Sequence, residues 1–304
     1  MWRHGLSHMT MLGAAVVAAG LLLSHAAHKT RRRRVREALL GKLLGHTGQH
    51  GVCALYPCAA GLSERGIIRL IARAFTGTSM AEPEWGIHWL LGPKLGDRSD
   101  PTGERLEIVT FFMTFAFKTN AIYPTEAVVL ASKCDSKDNE DEVVAVNVVR
   151  VFRRGYVKRW WEQFWDTRIA LESMLTGTVP KVYMDSSQSS LRGHIDARVK
   201  KMVDDTFVKL HAKHAPGPHY YVAVMATLPE KQGQGHCGKL MRAISRAADQ
   251  DQLPCYLEST SERNCKIYQR FGYKVVGHYT VSVEDDEPGS LPFEHLYCML
   301  RPPE

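Results

Sequence analysis

The chain reads as a mixed α/β domain, with helices laid over the faces of one sheet, on three observations. Strand-like and helix-like patterns alternate through its last third. The most apolar strand pattern, His219 to Leu228, runs through a glycine turn into the best amphipathic helix pattern. At 304 residues, with 44% hydrophobic and 23% charged, the chain can bury a large core and is neither disordered nor fibrous.

The elements follow in order. Helix-forming residues span Val35 to Leu44, and the Gly/His-rich stretch Gly45 to Gly51 reads as a linker. Residues 1–50 are thus expected to be a hydrophobic anchor or targeting segment plus basic linker, and 51–304 the main folded domain, beginning near Cys53. Ser63 is placed to cap a helix whose apolar face is Ile67, Ile68, Ile71 and Phe75, and Gly77 to Pro83 reads as a loop. Another helix is expected over Arg105 to Thr119. Ala121 to Ala131 and Glu142 to Phe152 form a strand pair around a charged insertion, Lys133 to Asp141. Trp160, Trp161 and Trp165 open a helical region toward Met174, and a second helix covers Ile195 to His214. After the strand ending at Leu228, the residues Cys237, Leu240, Met241, Ile244 and Ala247 mark the buried face of a helix running to about Gln250. A strand at Pro254 to Glu258, a helix around Asn264 to Arg270, and strands at Tyr273 to Val283 and His295 to Leu300 complete the chain.

The formal charge of +7 is concentrated in Arg31, Arg32, Arg33, Arg34 and Arg36, so it gives little support to nucleic-acid binding. Seven scattered cysteines without a CxxC pair argue against both a disulfide framework and a zinc site. Before the arginines, Met11 to Leu23 carries no charge, and Leu6 to Ala27 is long enough to cross a bilayer as a helix. The heavier positive charge after it favours an uncleaved anchor that keeps the following domain in the cytosol. A presequence for a mitochondrion or plastid, and a secretory signal, are the alternatives.

The turn from Leu228 to Leu240 carries the chemistry. Gly233 and Gly235 permit a sharp bend and close ligand approach, and the next helix offers orphan N–H groups to a phosphate. Gly233, Gly235 and Gly238 match the letters of a dinucleotide fingerprint, but the strand is late and the rest of such a domain is missing. A P-loop would need a hydroxyl where Leu240 stands.

Gln232-Gly233-Gln234-Gly235-His236-Cys237 resembles the [RQ]-x-x-G-x-[GA] turn of the GNAT superfamily of N-acetyltransferases, with Cys237 at the small position and His236 where an apolar residue is usual. A second feature, Cys255 to Ser261 followed by Ile267-Tyr268-Gln269-Arg270-Phe271-Gly272-Tyr273, resembles that family's late strand and tyrosine element. The convincing likeness covers Tyr220 to Gly277 and is closest to the generic small-domain type common in fungi and other eukaryotes. It implies a mostly antiparallel sheet and acetyl-CoA as cosubstrate, with the pyrophosphate over the amides of Gln232, Gly233, Gln234, Gly235, His236, Cys237 and Gly238. It further implies an oxyanion-stabilising N–H near Met225 or Ala226, and Tyr268 as general acid for the departing thiolate. Glu258, His219 and Glu230 are the candidates for a base, with Glu258 preferred, and water can relay the proton in their place.

The expected reaction is direct attack by a primary amine in a ternary complex. The aromatic content of Gly155 to Pro218 points to a small-molecule acceptor rather than a protein. Protein N-acetylation and a tethered, noncatalytic acyl-CoA-binding module are the alternatives. No metal is expected: His211, His214 and His219 lack a rigid frame.

Overall fold

The computed structural model of the chain describes residues 30–45, 52–56, 63–76, 85–96, 103–134, 142–156, 162–284, 286 and 288–304. In order, the elements are helix α1 (30–44), strand β1 (Val52–Tyr56), helices α2 (Glu64–Thr76), α3 (Trp85–Leu91), α4 (Pro93–Gly96) and α5 (Glu104–Phe117), and strands β2 (Ala127–Lys133) and β3 (Val143–Phe152). Helices α6 (Glu162–Leu175), α7 (Lys181–Met184), α8 (Ser189–Lys200) and α9 (Val208–His214) precede strand β4 (His219–Thr227). Helix α10 (His236–Gln250), strand β5 (Cys255–Ser259), helix α11 (Glu262–Gln269) and strands β6 (Lys274–Val281) and β7 (Phe293–Arg301) end the chain.

Among the described residues, seven strands form one sheet in the order β1-β2-β3-β4-β5-β7-β6. Every neighbouring pair is antiparallel except β4 and β5, which are parallel. The sheet has apolar cores on both faces. On one, α2 and α5 bury Ile67, Ile71, Ile108 and Phe117 against Val146, Val148 and Val224. On the other, α10 buries Leu240, Met241, Ile244 and Ala247 against Val149, Tyr220 and Val222. This double covering is why β2 and β3 read as near-continuous apolar runs rather than alternating ones.

Helix α1 packs on the α10 side. Leu39, Leu40 and Leu43 enter that core, and burial of this kind stabilises by roughly 1.5–3 kcal/mol per side chain. Its polar side is tied down as well. Lys42 pairs with Asp251, and Arg246 donates to the Leu43 carbonyl at 3.0 Å. Arg36, 2% exposed, donates to the carbonyls of Ala121, Ile122 and Pro124. One arginine of the basic block is therefore a structural fastener.

Several expected boundaries move. Ala121 does not begin a strand: α5 continues as a π-helical turn, Lys118–Ile122, and β2 starts at Ala127. The helix expected over Ile195 to His214 is interrupted by a second π-helical turn, Lys201–Phe207, where Thr206 donates to the Lys201 carbonyl. Neither turn contains a glycine or proline to announce it. The Ser63 cap is present, with its hydroxyl accepting from the Gly66 N–H at 3.1 Å.

The segment Leu6 to Ala27, read as an anchor or presequence, lies outside the described residues, as do Trp160, Trp161, the loop Gly77 to Pro83 and most of the linker and charged insertion. Among the described residues, no helix is long and apolar enough to cross a membrane.

Candidate functional site

Strands β4 and β5 pair only at Tyr220–Cys255 and Tyr221–Tyr256. From Val222 onward they part, and a cleft of about 760 Å³ opens between them. Its wall is β4 from Tyr221 to Thr227, the glycine turn, the first turn of α10, the end of β5, and α11.

Where the strands part, β4 also bulges. Val148 of β3 faces Val224 and Val149 faces Val222, so Ala223 is an extra residue. The bulge reverses side-chain parity: Tyr220 and Val222 belong to the α10-side core, whereas Val224 and Ala226 belong to the α2-side core. It also sets which amides face the cleft. The Leu228 N–H donates to the Val144 carbonyl at 2.9 Å, which makes 144–228 a hydrogen-bonded pair. By alternation along the same register, Val146–Ala226 is bonded likewise, and Asn147–Met225 and Ala145–Thr227 are not. Ala226 therefore spends its N–H on β3, while Met225 and Thr227 direct theirs to the open edge. Of Met225 and Ala226, Met225 is the one whose N–H faces the cleft.

The turn has the conformation its glycines were expected to supply. Gly233 and Gly235 have φ of 77° and 84°. Gly235 is the left-handed N-cap of α10 and offers no side-chain cap to the helix's first N–H groups. No heavy atom lies within 4 Å of where a Cβ would stand at either glycine. A concave, open array of amides with the positive end of a 15-residue helix behind it suits a phosphate. Gly238 has a packing reason for being small: a Cβ there would lie 3.2 Å from Arg242 Nη1 and 3.3 Å from Phe271 Cζ. Lys231, Arg242, Arg263 and Arg270 also line the cleft, whereas Glu258 is the single acid among its described lining residues. The electrostatics favour a polyanion.

His236 stands at an apolar position of the turn because it is satisfied internally. It is 2% exposed, and its Nδ1 lies 2.9 Å from the hydroxyl of buried Ser132. Cys237 packs against the α10 core, and burial pushes its thiol up to about 11. A thiol held neutral is a poor nucleophile. Gln232 lines the cleft and its side chain reaches the Thr227 carbonyl at 3.5 Å. Gln234 bends back to the Glu230 carbonyl at 3.4 Å.

The cleft passes through the sheet. Cys237 and Phe271 belong to its α10 side, Ala74 and Phe75 to its α2 side, and Phe207 joins them from the second π-helical turn. Glu258 and Tyr221 line it, next to Tyr256 of β5. Burial pushes the Glu258 carboxyl up to about 7, against the opposing pull of the Tyr221 and Tyr256 phenols. Its Oε1 is closed off from solvent with no hydrogen-bond partner. Tyr268, on α11, is 9% exposed and lines the cleft, with its ring 6.2 Å from that of Tyr273.

The other two candidate bases lie elsewhere. His219 is fully buried. Its Nδ1 is 2.7 Å from the Gly217 carbonyl, so that nitrogen carries the proton, and its Nε2 accepts from His211 Nε2 at 2.7 Å. Burial lowers the pKa of both rings, that of His211 to about 2, so the pair is neutral. Glu230 pairs with Arg73 at 2.9 Å and braces the turn. His214 points elsewhere, to Tyr279 at 2.7 Å, and no group of metal-ligating residues occurs among the described residues.

Sequence reasoning missed the bulge at Ala223, Tyr221, and the cations Arg242 and Arg270. The spacing of Arg242 and Arg270 relative to the turn carried a signal, since one lies a helical turn beyond Gly238 and the other follows Tyr268 by two. The bulge left none, because Ala223 sits in an unbroken β pattern.

Residues 194–273 match the model of the acetyltransferase (GNAT) family. An uncharacterized N-acetyltransferase of Schizosaccharomyces pombe is 33% identical over 85 residues, 28% of this chain and 32% of the relative. The chain thus matches about a third of the length of that curated relative. Two solved structures are similar at low identity. One is a histone acetyltransferase HPA2 and related acetyltransferase from Corynebacterium glutamicum, with 17% identity and a TM-score of 0.41, over 83% of this chain and 96% of that one. The other is arylalkylamine N-acetyltransferase 2 from Aedes aegypti, with 10% identity and a TM-score of 0.38, over 80% of this chain and 97% of that one.

Proposed function

We propose that this chain, whose residues 194–273 match the GNAT acetyltransferase family model, transfers acetyl from acetyl-CoA to the primary amine of a small molecule by direct attack in a ternary complex. The observation that carries this reading is the cleft between β4 and β5, which joins a phosphate-type amide cradle on one face to a half-buried carboxylate among aromatic walls on the other. The residues present fit the cosubstrate: open amides from Gly235 to Gly238, unpaired edge amides at Met225 and Thr227, and cations at Lys231, Arg242 and Arg270.

Bound acetyl-CoA supplies the acetyl group in activated form, as a thioester. Met225 directs its N–H to the oxygen on which negative charge develops. Glu258, ionised above pH 7, takes the proton from the attacking amine. Tyr268 gives a proton to the departing thiolate. Phe75 and Phe207 wall the acceptor side and exclude water from it. Cys237 takes no covalent part, and Cys237→Ser is expected to leave kcat within about threefold.

Two measurements test the reading. Acetyl-CoA should raise the melting temperature of the full chain, and a panel of primary amines should release free CoA. Stabilisation without CoA release for any amine would leave only a binding module, and the absence of both removes the assignment. The cradle has its own test. Gly235→Ala forces a side chain into the left-handed region, which costs about 1 kcal/mol of stability. It also places a methyl group among the amides and should weaken acetyl-CoA binding roughly tenfold, read by calorimetry.

A further inference from the structure

The helix that leads into β4 changes its pitch beside the cleft. Ile195, Arg198 and Met202 are its buried positions as far as the start of the second π-helical turn, and they follow α-helical spacing. Leu210 and His211 are its buried positions after the turn. Phe207 stands at α-helical spacing from those two, but five residues beyond Met202. In an unbroken α-helix that step would turn Phe207 about 140° away from Met202. The π-helical turn Lys201–Phe207 absorbs the extra residue. Phe207 therefore packs in one cluster with Met202, Leu210 and Tyr256, and it lines the cleft.

The turn is held from both sides. Arg198, 0% exposed, donates to both carboxylate oxygens of Asp286 at 2.8 and 2.7 Å and to the Ser290 hydroxyl at 2.8 Å. Beyond the turn, His211 is bonded to His219 at 2.7 Å and stacks on Tyr156 with ring centroids 3.9 Å apart. Phe207 is thus a preorganised wall, and with Ala74 and Phe75 of α2 it gives the cleft an apolar stretch. Among the described lining residues the one acid is Glu258, which the proposed reaction assigns to the attacking amine. The acids of the turn itself, Asp204 and Asp205, are not among those lining residues, and Asp205 pairs with Lys209 at 3.7 Å. A second ammonium set against Phe75 and Phe207 would lose its hydration, with no further carboxylate among the described lining residues to meet it.

We propose that this π-helical turn is the acceptor-selecting element of the site, with Phe207 as the side chain on which the substrate amine lays a flat or branched apolar group in preference to a second cation. The proposal rests on the acetyl-transfer reading above and names the substrate class within it. Such turns recur at functional sites, where one extra residue re-aims a side chain without unwinding the helix.

Hexylamine and cadaverine, its diamine counterpart of equal length, differ in a terminal methyl against a terminal ammonium, and phenethylamine presents a ring. With the full chain and saturating acetyl-CoA, CoA release should favour hexylamine and phenethylamine over cadaverine by at least about thirtyfold in kcat/KM. Phe207→Ala should cut that preference to about threefold or less, through KM, with acetyl-CoA affinity kept within about threefold. Phe207→Leu should keep the preference for hexylamine. Phe207→Asp should raise kcat/KM for cadaverine roughly tenfold above wild type, a gain that no misfolded variant can give. Calorimetry of the three amines on the chain saturated with CoA should rank them in the same order without turnover. Cadaverine used as well as hexylamine overturns the proposal and leaves acetyl transfer standing, since the rings would then hold a cation. Selection that Phe207→Ala does not disturb overturns it too, and places the choice on another wall. CoA release from no amine at all removes the acetyl-transfer reading, and this proposal with it.

Discussion

Replacing Glu258 by glutamine is expected to lower kcat/KM by about two to four orders of magnitude while acetyl-CoA affinity stays within about threefold. The carboxylate lies in the cleft with one oxygen shut away from both solvent and partners, and burial holds its pKa near 7. Wild-type kcat/KM should therefore break near pH 7 and fall below it more steeply than protonation of the substrate amine alone requires, since only the ionised carboxylate accepts a proton, and Glu258→Gln should lack that break. The same residue makes a stability prediction of definite sign. The folded pKa is raised to about 7 from an ordinary value of 4.5, so the folded protein keeps a proton that the unfolded chain loses between those pH values. The stability associated with the neutral form is complete below pH 4.5 and is lost as pH rises through 7. Glutamine is neutral throughout. The variant should gain roughly 1–3 kcal/mol over wild type above pH 7 and nothing below pH 4.5, as read by denaturant melts across pH. A break near pH 7 that survives in the variant would assign the base to another group.

How far this site could be read from the sequence depends on whether its parts are local. The β4–turn–α10 unit was legible because each signal lies within one stretch of chain. Gly233 and Gly235 take positive φ, and Leu240, Met241, Ile244 and Ala247 are fully buried, as their spacing required. Tyr268 and Glu258 were legible through a motif, and both line the cleft. What the sequence hid is relational. The parting of β4 from β5 follows from pairing that stops after Tyr221, and nothing in either strand's residues announces it. The Ala223 bulge changes which amides face the cleft without breaking the β pattern. The arginine block read as a topology or processing signal, yet Arg36 is buried on carbonyls 85 to 88 residues away. His219, a candidate base in the sequence, is instead fully buried and bonded to His211.

Tyr268→Phe should produce the second large effect, and its pattern identifies the role. The substitution keeps the ring, its packing near Tyr273 and its place in the α10-side core. It removes only the phenolic O–H, so the stability loss should be no more than about 1 kcal/mol. If Tyr268 protonates the departing thiolate, kcat should fall roughly a hundredfold, with acetyl-CoA binding changed by no more than about threefold. A packing role would give the reverse pattern, with a lower melting temperature and a nearly unchanged kcat. The leaving group supplies the sharper discriminator. An acetyl thioester whose thiol is more acidic than that of CoA needs less help to depart, so the deficit of Tyr268→Phe should shrink with such a donor. Glu258→Gln should keep its full deficit with the same donor, because the base acts on the amine and not on the sulfur. A Tyr268→Phe deficit that is indifferent to thiol acidity would remove Tyr268 as the acid and leave that proton to another donor.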